Sequence, residues 1–376
     1  MKCAAFLLFA SATFLLAAET RPATPATEPE SLASALTANQ WNQVEQSIDR
    51  ALAWLARQQE GDGSIDAPDS AQPAATSLTV MAFLSKGHVP GEGPYGRVLD
   101  KAIDFVIRCQ HADGLLAYSG GGGRSTSGKT ANYNHAIAGL MLTEVYGMTD
   151  RARAARLKPA IVNAVMFTRR DQVKPKGDPD DRGGWRYLYS ETYGDSDLSV
   201  TAWQLMFLRS AKNAEFDIPK QYVDDAVGYV ERCWHPQMGV FFYKNAGSER
   251  RWSRGMVGAG ILSLAMAGQH DKPIAQRAGD WLLGNPFRGF GEKMGSGDRF
   301  FYSTYYCSQA MAQLGGRHWK GFFPSLAAVL VRGQQSNGSW PTEPHGSDRM
   351  FGNTYTTAMA VLSLTPPLQL LPVYQR

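Results

Sequence analysis

Cysteine is scarce in this chain, with four in 376 residues. Cys3 lies ahead of an apolar run, and Cys109, Cys233 and Cys307 are odd in number, far apart and without a C-x-x-C pair. That excludes a disulfide framework and leaves three thiols acting as small apolar side chains. A concentrated basic stripe is also missing, because 38 Lys and Arg are interspersed with 34 Asp and Glu for a net charge of +4. Nucleic acid is therefore not an expected partner. The composition has no bias toward disorder or a collagen-like fibre: 44% hydrophobic and 11% aromatic residues can bury a large globular core.

The apolar run at residues 4–18 is shorter than the ~20 residues a membrane span needs. Preceded by Met1 and Lys2, it has the form of a secretory leader with cleavage expected near Ala18. Leu16 stands where a small residue is preferred, so an uncleaved leader would serve as a membrane anchor. Residues 19–40, rich in Pro, Ala and Thr, are expected to be a tether. Residues 41–376 are expected to form one domain of an exported protein, periplasmic or extracellular.

What the chain has in abundance is self-similarity. An apolar helix, a turn marked by Gly and a second helix recur six times at roughly 50-residue intervals. First helices are predicted from Ile48, Val98, Ala160, Val223, Ile274 and Pro324. The turns begin at Gly61, Ala112, Gly183, Gln237, Asn285 and Asn337. Second helices are predicted near Ala75, Tyr133, Leu198, Gly255, Tyr305 and Tyr355, and they are more apolar and richer in Ala and Gly, as suits helices packed on several sides. A helix pair cannot bury its apolar face alone, and neither end copy is polar enough to cap an open array. The expected fold is all-α: a closed (α/α)6 toroid of six helix-pair repeats, second helices inside, around a central cavity.

The stretch LVRGQQSNGSW at residues 330–340 resembles the Q-W repeat of squalene and oxidosqualene cyclases. With YNHAIAGLMLTEVYGM, GGWRY and SVTAWQLMFLRSAKNA, the chain is similar to the prenyltransferase and squalene-cyclase repeat superfamily, in particular to a secreted single-toroid branch of it. The resemblance implies an α-α toroid and offers two chemistries to look for. Class II cyclases protonate their substrate from D-x-D-D ahead of Thr-Ala at an inner-helix start. DPDD at residues 178–181 has the letters but precedes the turn, and reads as a solvated turn. Aligning Thr201-Ala202 puts Asp197 at the first acid position and Ser199 and Val200 at the catalytic pair. Prenyltransferase zinc needs an Asp, a Cys and a His; Asp298 matches the first, but Phe300 and Thr356 stand for the others, so no metal and no cofactor is expected.

Residues 123–130, GRSTSGKT, satisfy the phosphate-cradling pattern G-x-x-x-x-G-K-[ST]. No run of apolar residues ending in Asp supplies a second metal-binding motif, and the segment reads as a flexible Gly/Ser loop.

Residues at inner-helix starts should face one mouth of the ring. The ligand-binding candidates are Tyr133, His135, Trp185, Tyr187, Thr201, Arg251, Arg254, Tyr305 and Tyr355, and the candidate acids are Asp195 and Asp197. Tyr133, Asp197, Tyr305 and Tyr355, from four copies, are expected to converge there. Three readings stay open at this point. The first is a non-catalytic protein binding an apolar, isoprenoid-like or peptide ligand or a protein partner. The second is a terpenoid cyclase with a relocated acid, and the third a carbohydrate-active enzyme.

Overall fold

Burial alternates helix by helix along the chain, and that alternation builds the architecture. A computed structural model describes residues 31–118, 128, 130–188, 194–245, 247, 249–294 and 297–375. The expected leader, the first part of the expected tether, and residues 123–127 and 129 of the Gly/Ser loop lie outside the described residues. Among those described are twelve α-helices: α1 (Ala38–Ala56), α2 (Ala74–Leu84), α3 (Gly96–Arg108), α4 (Ala131–Val145), α5 (Arg151–Gln172), α6 (Leu198–Asn213), α7 (Lys220–Arg232), α8 (Arg254–Met266), α9 (Pro273–Gly284), α10 (Phe300–Leu314), α11 (Gly316–Gly333) and α12 (Gly352–Leu364). A two-stranded hairpin, β1 (Trp234–His235) with β2 (Val240–Phe241), follows α7.

Every residue of α2 is buried, and every residue of α4 except Tyr133. Odd-numbered helices such as α3 bury one face, Gly96, Leu99, Ala102, Ile103, Phe105 and Val106, at helical spacing. The even helices therefore form the inner layer. In it α2 packs on α4, α4 on α6, α6 on α8, α8 on α10, α10 on α12, and α12 returns to α2. The ring is closed.

One repeated device ties the outer helices together. Gln59, Gln110, Gln172 and Gln334 each donate through Nε2 to the carbonyl of a turn glycine and to a carbonyl of the next copy's outer helix: Val98 (2.8 Å), Ala160 (2.7 Å), Tyr222 (2.9 Å) and Ser47 (2.8 Å). The last of these runs from copy six back to copy one. The turn glycine must be glycine: Gly183 has φ +88°, and a Cβ there would lie 2.0 Å from the Asp225 carbonyl oxygen of α7. Gly338, φ +96°, presses in the same way on Arg50 of α1.

After each such turn, one backbone N–H donates into the inner helix. Ile65 reaches Thr76 Oγ1 (3.0 Å), Leu116 reaches His135 Nδ1 (3.1 Å), Trp185 reaches Thr201 Oγ1 (3.1 Å) and Trp340 reaches Thr357 Oγ1 (3.0 Å). The same position thus fastens turn to helix in four copies.

Both chain ends of the toroid are built in. Residues 31–40, expected as tether, instead contribute the turn Leu32–Ala35, whose Leu32 carbonyl accepts from Trp319 Nε1 (2.7 Å), and the Thr37 capping box that starts α1. The turn Pro372–Tyr374 crosses the C-terminal ends of the inner helices. There Asn213 donates to the Pro372 carbonyl (3.0 Å) and Gln313 to the Tyr374 carbonyl (2.8 Å).

Candidate ligand cavity

Because the inner helices all run the same way, their first turns gather at one end of the ring, and there the wall opens into a cavity of about 850 Å³. Its sides are first-turn and second-turn residues: Ala74 and Leu78 of α2, Tyr133 and Ile137 of α4, Ser199 and Trp203 of α6, Met256 of α8, Tyr302 of α10 and Tyr355 of α12. Loops add Tyr187, Tyr243, Arg251, Trp252, Arg299, Asp348 and Phe351 at the mouth.

The cavity wall mixes aliphatic side chains with a belt of hydroxyls. Tyr133 donates its OH to Ser199 Oγ (2.7 Å), which also bonds Tyr302 OH (2.7 Å); Tyr187 OH lies 2.8 Å from Tyr243 OH. Burial, followed by the nearby Asp197, pushes the Tyr133 phenol well above its ordinary pKa, so this belt stays neutral. Ser199 sits where the cyclase resemblance would place an acid.

Asp197 is at the same end but not in the wall. It caps α6, accepting from Val200 N–H (2.8 Å), and its Oδ2 accepts from Tyr243 OH (3.0 Å), so the Tyr243 ring stands between it and the cavity. Fully buried, it is pushed up to about 7 by desolvation, against the lowering effect of Val200 N–H and Arg186. Asp195 is half exposed and ion-paired to Arg186 (2.6 Å) and Lys244 (3.0 Å). Burial pushes it upward, but the Asp181 carboxyl, Lys244 and Arg186 outweigh that and hold it well below its ordinary range. It is a structural anion.

Several expected ligand contacts are framework instead. His135 points outward: Nδ1 accepts from Leu116, Nε2 meets Thr168 Oγ1 (2.9 Å), and burial pushes its pKa down to about 3, so it is neutral. Trp185 is buried, with Nε1 donating to the Thr168 carbonyl (2.9 Å), and Thr201 accepts from the Trp185 backbone. Arg254 is fully buried, paired to Asp298 (2.8 Å) and 3.9 Å over the Phe287 ring. Tyr305 lies almost two turns into α10 and points to the closed end, bonding Tyr374 OH (2.5 Å). Tyr302 takes the position expected of it. Tyr133, Tyr187, Arg251 and Tyr355 do line the cavity.

The shift from Tyr305 to Tyr302 has a long-range cause. Glu343 accepts from the Phe300 and Phe301 N–H groups (2.8 and 3.0 Å), starting α10 earlier than its local sequence suggests. Tyr243 was missed because copy four uses a hairpin where copies one, two, three and six use the glutamine. DPDD forms a short turn, Pro179–Asp181, capped by Asp178. Among the described residues, no group of three or more His, Cys, Asp or Glu could hold a metal ion.

With this geometry in view, solved structures supply relatives in shape. The type II terpene cyclase MstE from Scytonema, in complex with merosterolic acid A, is 18% identical, with 89% of this chain and 100% of that one covered at a TM-score of 0.57. A GH76 α-mannanase of Bacteroides thetaiotaomicron is 12% identical, covering 90% and 98% at 0.61. A protein from Actinoplanes is 17% identical, covering 86% and 99% at 0.59. What they share with this chain is the toroid fold. No protein-family model and no curated protein matches the chain. The fold is that of the terpene cyclase toroids, as the repeats implied, and it also carries glycoside chemistry elsewhere, so function has to be argued from the site.

Proposed function

We propose that this toroid is an exported binding protein that takes an apolar or amphipathic small molecule, isoprenoid-like in shape, or an apolar peptide into its cavity and leaves it chemically unchanged. The observation that carries the reading is the wall itself: aromatic and aliphatic side chains, a neutral hydroxyl belt centred on Ser199, and, among the described residues, a single carboxylate, Asp348, that is paired to Arg299 (3.5 Å). Such an apolar pocket with a few converging polar groups is the usual form of a ligand site, and its volume suits a drug-sized molecule. Ligands of the terpene cyclase neighbour, geranylgeranyl dihydroxybenzoate and merosterolic acid A, support an apolar body of that kind. Export rests on Lys2 and the apolar residues 4–18.

A second reading has one observation in its favour. Asp197, kept protonated to near pH 7 by burial, reaches the cavity through Tyr243 OH, and a cyclase could use that acid at one remove. The α-mannanase likeness suggests sugar chemistry, but that needs two carboxylates about 5 to 10 Å apart across a cleft. The described wall offers only Asp348.

Native mass spectrometry of the protein purified from its own host tests the binding reading, with a co-purifying apolar mass expected. Incubation with squalene and geranylgeranyl diphosphate should return both unchanged; measurable conversion in either case overturns it.

A further inference from the structure

We infer that the ligand is an amphiphile with an anionic head, a carboxylate or a phosphate monoester, and that Arg251 holds this head at the mouth of the cavity. The inference deepens the binding reading and rests on it. Among the described residues, two arginines line the cavity, Arg251 and Arg299, and Arg299 is paired to Asp348. Two others near the inner-helix starts are neutralised within the protein: Arg254 by buried Asp298, and Arg186 by Asp195 and Glu249. Arg251 lines the cavity, and among the described residues its guanidinium has no hydrogen bond or ion pair.

The Arg251 side chain is nonetheless held in place. Its guanidinium carbon lies 4.5 Å from the centre of the Tyr243 ring, and its Cδ packs so close to Gly297 that an added Cβ there would stand 3.3 Å from it. Stacking on an aromatic face fixes the planar fork and leaves its N–H edge free to pair with an anion's oxygens. Elsewhere in the wall, Ala74, Leu78, Ile137 and Met256 present no side-chain nitrogen or oxygen. The mouth at Arg251 thus suits a negative charge, and the aliphatic and aromatic parts of the wall suit hydrocarbon. A neutral ligand would fill the apolar part and gain nothing at Arg251, while a cationic head would be repelled. Because Arg251 is solvent-exposed, the gain from pairing is moderate, on the order of tenfold in affinity rather than thousands.

Three probes with one hydrocarbon tail separate the possibilities: hexadecanoic acid, hexadecyl phosphate and hexadecan-1-ol, titrated calorimetrically at pH 8 into the full chain. At least one of the two anions should bind about tenfold or more tightly than the alcohol, and the tighter one identifies the head. Arg251→Gln should bring that anion down to the level of the alcohol without changing the alcohol, and Arg251→Lys should restore part of the difference. An alcohol bound as tightly as both anions, or a Gln variant that weakens all three alike, overturns the head-group assignment and leaves the cavity reading standing. No binding of any probe by the wild type overturns both.

Discussion

The Trp203 ring lies flat on the Tyr305 ring, with centroids 5.1 Å apart and planes 10° apart, and Tyr305 in turn bonds Tyr374. Trp203 is part of the cavity wall, so the last turn of the chain supports that wall from the closed end of the ring. Tyr374→Ala removes the support and a partly buried aromatic. The variant should lose about 2–3 kcal/mol in urea unfolding and show altered near-UV circular dichroism from Trp203. An unchanged near-UV spectrum would show that the two ends are not coupled.

Glu144 anchors the same turn, accepting from Ser210 OH and from Val373 N–H (3.3 Å). Burial pushes its pKa from 4.5 up to about 7. The folded state therefore keeps a proton that the unfolded chain releases above pH 4.5. That stabilisation is full below 4.5 and is lost as pH rises through 7. Asp197 and Glu343, also raised to about 7 by burial, act in the same direction. Thermal midpoints should fall between pH 5 and pH 8, and Glu144→Gln should remove about 2–3 kcal/mol of that dependence. A variant with the wild-type pH slope would assign the effect to the other carboxyls.

The link between copies six and one can be tested at Gly338. Alanine there meets both a positive φ and the Arg50 carbonyl, 2.5 Å from the new Cβ, so Gly338→Ala should cost about 3 kcal/mol or more. Gly284→Ala, in a helix with nothing within 4 Å, should be neutral or slightly stabilising in the same denaturant series. Equal effects at the two positions would mean that Gly338 does not close the ring.

Asp197→Asn keeps the α6 cap, because an Asn oxygen can still accept from Val200 N–H, but removes the titrating proton. On the binding reading, ligand affinity should change less than about threefold between pH 6 and 8, in wild type and variant alike, since Tyr243 covers the carboxyl. If the wild type forms a cyclised product detectable by mass spectrometry and the variant does not, Asp197 is a proton donor and the binding reading is wrong.

The repeats were legible because their signals are local. Gln110, Gly114 and the residues after them lie within a few positions of one another, so turn geometry can be read off the chain. Ring order and closure then follow from the need to bury both faces of each helix pair. Side-chain direction was not legible. His135 and Thr201 look like mouth residues by position, yet each accepts a backbone N–H from a turn some twenty residues earlier or fewer, and nothing in their own segments shows it. Arg254 was misread for a similar reason. Its partner Asp298 is 44 residues away, and only the packed structure brings the two charges together.

The most direct test of the account asks where a ligand sits. Hexadecanoic acid carrying a diazirine near its tail, photolysed in complex with the protein, should label cavity residues of the inner helices, with Leu78, Ile137, Trp203 and Met256 foremost in peptide mass spectrometry. An excess of unlabelled acid should suppress the labelling. Labelling confined to the exposed apolar residues Val162 and Met166 of outer helix α5 would contradict the central claim that the ligand is held inside the ring.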